Sequence, residues 1–102
     1  MNLYHVTQRH VYGYDTYSDM VVAAPDELTA RQTHPSAAWE TRVTSDGDFE
    51  MHRDYVRPGQ TEWFRASNHS WPNNIRHVTD QLIGQAAPDV KAGVICASFH
   101  AG

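Results

Sequence analysis

Cysteine and lysine each occur once in this 102-residue chain, as Cys96 and Lys91. A single thiol rules out an intramolecular disulfide and a thiolate metal cluster, which points to a reducing compartment. Long apolar runs are also missing. No segment approaches the roughly 18 apolar residues of a membrane helix, and the opening Met1-Asn2-Leu3-Tyr4-His5 lacks the basic and apolar regions of a secretory leader. The expectation is a cytoplasmic protein without membrane association, for which the sequon Asn68-His69-Ser70 has no chemical meaning. Positive charge is scarce as well: eight Lys and Arg face twelve Asp and Glu, a net charge of -4. That sign, with no two arginines adjacent, argues against generic nucleic-acid binding, whose affinity comes from neutralising phosphates. Seven histidines would add positive charge below about pH 6.5.

What is present describes one globular domain with a single core, spanning residues 1–102. A chain of this length buries about 65% of its extended surface, enough for independent folding. Residues 2–8 and 17–24 read as strands, joined through residues 9–16, where Gly13 and Asp15 supply turn chemistry. Pro25-Asp26-Glu27 starts a helix of about nine residues that ends at His34-Pro35. Its expected core contacts are Ala24, Leu28 and Ala30. Residues 40–74 form a polar, irregular insert. Within it, Asp46-Gly47 between β-compatible runs predicts a hairpin of residues 41–44 with 49–52, and residues 57–60 and 71–74 read as turns. Residues 78–86 and 92–99 are two further strands. The second holds the most continuous apolar run and is expected at the centre of the sheet. The fold class is therefore α+β: a small antiparallel sheet in the order ββα, insert, ββ, with one short helix packed on one face.

No arrangement of reactive residues carries an enzyme assignment, and no catalytic, cofactor or metal residue is assigned. His69 with His77, or His5 and His10 with His100, lack ligand spacing. Asp46, Asp48 and Glu50 alternate like the start of a calcium loop, but the later glycine and the distal Glu are absent. His52-Arg53-Asp54 spells a kinase triplet without the other kinase motifs. Cys96 and His100 share a strand face but lie about 13 Å apart at strand rise, so Cys96 reads as a buried structural thiol.

Leu3-Tyr4-His5-Val6-Thr7 with Gly13-Tyr14-Asp15, then Val21-Val22-Ala23-Ala24 into an acidic helix, open the chain. Ile83-Gly84-Gln85-Ala86, Gly93 to Phe99 and Ala101-Gly102 close it. These ends resemble small uncharacterised proteins of tailed bacteriophages and prophages. The resemblance implies a phage origin and residence in the cytoplasm of an infected bacterium. It carries over no activity and no site residue, and residues 40–68 fall outside it.

Aromatic residues and arginines are the remaining signal, because both anchor protein interfaces. Tyr12, Tyr14 and Tyr17 mark the first hairpin, while Arg53, Arg57, Trp63 and Arg65 stand in the insert. At least two of the three tryptophans are expected to cover the protein's own core. The leading expectation is a non-enzymatic accessory protein that binds a host or phage protein through these residues. The alternatives are a virion or assembly component, with homo-oligomerisation left open, and a small histidine-dependent metal enzyme or hydrolase.

Overall fold

Alternation along the first strand places Tyr4, Val6 and Gln8 inward, and the rest of the fold is arranged to cover that face. The computed structural model of the chain describes residues 1–36, 40–52 and 62–101. In chain order the elements are β1 (Asn2–Gln8), β2 (Thr16–Ala24), α1 (Glu27–Arg31), β3 (Glu40–Val43), β4 (Phe49–His52), β5 (Trp63–Arg65), a 3-10 turn (Ile75–His77), β6 (Val78–Gln85) and β7 (Gly93–His100). They form two antiparallel sheets, one of four strands in the order β6-β1-β2-β7 and one of three in the order β3-β4-β5. With the single helix contacting β1, β2 and β6, the fold is α+β.

The core lies on the inner face of the larger sheet. Tyr4, Val6, Met20, Val22 and Ala24 meet Ala30 of the helix, with Phe49, Ala66, Trp71 and Val78. Each large apolar side chain buried this way contributes about 1.5–3 kcal/mol. Three of these residues, Phe49, Ala66 and Trp71, come from the polar central third of the sequence. β3, β4 and β5 of that stretch form the second sheet, and Phe49 within it, with Ala66 and Trp71 beyond its last strand, completes the main core.

The Asp46-Gly47 hairpin forms as its turn chemistry predicts, with Val43 opposite Phe49. Gly47 has φ 86 and lies so close to the 74–75 segment that a β-carbon there would meet Ile75 Cγ1 at 3.0 Å. Asn74 fastens the turn further: its Nδ2 donates to the Asp46 carbonyl at 3.1 Å and to Asp48 Oδ1 at 2.9 Å. The three acids Asp46, Asp48 and Glu50 thus serve turn and surface pairing, Glu50 meeting Arg42 Nε at 2.8 Å.

Several expectations are corrected. β7 is an edge strand rather than the central one, and β6 lies at the opposite edge, so residues 86–92 cross the end of the sheet between them. An apolar run marks a buried strand only where elements cover both faces, whereas β7 pairs with β2 alone among the described strands and is exposed from Ile95 to His100. For the same reason Cys96 is exposed rather than buried. The helix spans five residues, not nine. Asp26 caps it by accepting from the Thr29 N–H at 2.7 Å, and the chain leaves it at Gln32, ahead of Pro35. Ala24 and Ala30 are buried as expected, but Leu28 is 54% exposed. Trp71 is fully buried in the core and Trp63 is half-buried. Trp39, Arg53, Arg57 and the 57–60 turn lie outside the described residues.

Candidate functional site

The β1–β2 connection, residues 9–15, is organised by one buried amide. Gln8 continues the inward alternation of Tyr4 and Val6, but its position at the strand end lets its polar head reach the loop backbone. Its Nε2 donates to the carbonyls of Val11 at 2.6 Å and Tyr17 at 2.7 Å. Its Oε1 accepts from the N–H groups of His10 at 2.9 Å and Val11 at 2.8 Å. Both donors and both acceptor sites of the amide are thereby used. Thr16, also buried, donates from Oγ1 to the Gly13 carbonyl at 2.8 Å. Gly13 at φ 107 and Asp15 at φ 59 supply the left-handed conformations that the reversal needs, and Asp15 N–H donates to the His100 carbonyl.

This braced loop holds two tyrosines outward: Tyr12 is 82% and Tyr14 80% exposed. They flank a mainly apolar cleft of about 860 Å³, also lined by Val11, Thr16, His100 and Ala101. Tyr17 has a different place. Its ring lies 4.8 Å from that of Phe99 and packs against the core, so it supports the loop from below. Two of the three tyrosines expected at the tip are brought together there.

The other candidates sit in the smaller sheet. Trp63 packs beneath the Arg42 guanidinium, 4.2 Å from its ring centroid, and beside His52 at 5.3 Å. Arg65 is exposed and pairs with Asp48 at 3.5 Å. Neither residue lines the tyrosine cleft. Gln8 and Thr16 escaped sequence reasoning, although a signal existed: each is a polar side chain at an inward position at the end of an apolar alternation.

The histidines take separate partners. His5 Nε2 lies 2.8 Å from Asp19 Oδ2 on the outer sheet face, and this hydrogen bond holds the Asp19 carboxyl below the usual carboxylate range. His10 stacks on His77 with ring centroids 3.7 Å apart. Desolvation, and then electrostatic interaction with His10 and Arg76, push His77 below the ordinary histidine value. His34 is buried edge-on to Phe49, accepts the Ser36 N–H on Nδ1 at 3.1 Å, and is pushed by burial down to about 4. Among the described residues, no three His, Cys, Asp or Glu side chains are grouped to hold a metal ion, and no helix is long and apolar enough to cross a membrane. Comparison with known proteins finds no matching family model, no matching curated protein and no matching solved structure.

Proposed function

We propose that the chain is a small non-enzymatic accessory protein of a phage, which binds a host or phage protein through the loop bearing Tyr12 and Tyr14. The observation that carries this reading is the Gln8 clamp beneath two exposed aromatic rings. A loop that is already ordered loses little conformational entropy on binding, and tyrosine supplies a large rigid contact with a polar tip. The adjacent apolar cleft offers a receptacle for a side chain of the partner. The phage assignment rests on the likeness of the two ends of the chain.

The test is affinity capture from a bacterial host lysate, comparing the unaltered chain with the double variant Tyr12→Ala, Tyr14→Ala. The reading expects a specific protein on the first and its loss from the second, with both chains folded. A folded double variant that retains the same protein would move the recognition surface to the Trp63 and Arg65 region. A second reading, an assembly component that associates with itself, is favoured by the outer edge of β7, which pairs with no strand among the described residues.

A further inference from the structure

We propose that the outer edge of β7 is a homodimerisation edge, on which β7 of a second copy pairs antiparallel about a two-fold axis at Ala97. The two four-stranded sheets would then become one continuous sheet. This inference is independent of the tyrosine loop.

Sheet edges present a row of unpaired N–H and C=O groups, and proteins that remain monomeric guard them with charge, proline, a bulge or a covering element. Here the edges differ. β3 carries Glu40 and Arg42, β5 carries Arg65, and β6 carries Asp80, with Arg31 of the neighbouring helix 3.8 Å away. β7, with the sequence GVICASFH, has no Asp, Glu, Lys, Arg or Pro, and its residues from Ile95 to His100 are exposed. Its register against β2 shifts twice, between Tyr17 and Asp19 and between Val21 and Val22, the second shift setting a bulge at Ile95 as the pairing passes from Val21–Cys96 to Val22–Val94. β7 is the only uncharged edge among the described strands.

The side chains along this edge select a second copy. An antiparallel pair centred on Ala97 places the smallest side chain of the stretch on the axis. Ile95 of each copy then lies opposite Phe99 of the other, and Cys96 opposite Ser98. Ile95 is 50% and Phe99 49% exposed, so two reciprocal apolar pairs gain cover. Phe99 is already positioned by its contact with Tyr17. Aromatic with β-branched is a favourable cross-strand pairing, and no like charges oppose each other. A pairing of this kind is isologous and closes at two copies. Each chain carries a net charge of -4, so the copies repel at long range and added salt should strengthen the dimer by screening.

Sedimentation equilibrium of the full chain over a range of concentrations and salt tests this. A reversible monomer–dimer equilibrium that tightens with salt is expected, and Ala97→Lys, which sets two ammonium groups on the axis, should weaken it by about tenfold or more. The register is checked independently by Ser98→Cys: mild oxidation should join Cys96 of one copy to the new thiol of the other and trap a covalent dimer. Ser98→Cys combined with Cys96→Ser should not be trapped, because like positions then lie on the diagonal. A chain that is monomeric at every concentration, a dimer untouched by Ala97→Lys, or open-ended association in place of dimers would overturn the proposal.

Discussion

Gln8 and Val11 exchange two hydrogen bonds: the Gln8 amide nitrogen donates to the Val11 carbonyl at 2.6 Å, and the Val11 N–H returns a bond to Gln8 Oε1 at 2.8 Å. One side chain thus stands in for a strand neighbour where the loop has none. The conformation that displays Tyr12 and Tyr14 depends on it.

Gln8→Ala should therefore cost more than a surface substitution. It strands loop N–H and C=O groups without a partner, at about 1–3 kcal/mol where they stay out of water. Chemical denaturation should show that loss, and amide exchange should accelerate at His10 and Val11 while β1 and β2 remain protected.

Removing the tyrosine rings should have the opposite profile. Tyr12 and Tyr14 are 82% and 80% exposed, so Tyr12→Ala with Tyr14→Ala should stay within about 0.5 kcal/mol per site of the original stability. Affinity for a captured partner should fall by about 2 kcal/mol or more if these rings are its anchors. Tyr17→Ala should instead lower the melting temperature, because Tyr17 packs on Phe99 and the core.

Acid should destabilise the fold through His34. Its folded value of about 4 lies below its ordinary 6.5, so between these values the unfolded chain binds the proton and the folded chain does not. The contribution is complete above about pH 6.5 and is lost as the pH falls towards 4, roughly 3 kcal/mol in all. Urea midpoints across that range should drop more steeply for the unaltered chain than for His34→Leu.

Replacing residues 45–60 by a short flexible link should abolish cooperative unfolding, because β4 goes with them and Phe49 is fully buried in the core. This reverses what the polar composition of the stretch suggests. Trp71→Ala should cost about 3–5 kcal/mol. Trp71→Phe should cost less: the indole Nε1 is buried without a hydrogen-bond partner among the described residues, so losing it removes no bond.

The parts of this fold legible in the sequence are those set by neighbours along the chain. Alternation in residues 2–8, the β-favouring run in residues 17–24, the helix start at Pro25-Asp26-Glu27 and the Asp46-Gly47 turn all act over a few residues. What escaped was set by distant contacts. The same apolar run in β7 fits a central or an edge strand, and only the path of residues 86–92 decides between them. Polarity concealed the role of residues 40–74, because a few buried residues, Phe49, Ala66 and Trp71, are diluted by exposed ones. Exposed tyrosines at the hairpin tip were readable from Gly13 and Asp15, whereas the Gln8 clamp required knowing which face of β1 is covered.

The crossing of residues 86–92 from one margin of the sheet to the other also orders events in time. β1 and β2 leave the ribosome before β6 and β7 and can pair at once, but a lone two-stranded hairpin is marginal in water. Asn2 finds Gln85, and Thr16 finds His100, only when the last quarter of the chain has been made. Pairings this remote in sequence slow the search for the native state. During synthesis the two lateral edges of the β1–β2 hairpin therefore wait unpaired, although Ala30, Phe49, Ala66 and Trp71, which cover its inner face, have already been made. β6 and β7 flank the first two strands from both sides, so growth of residues 2–24 alone does not commit the protein to its fold.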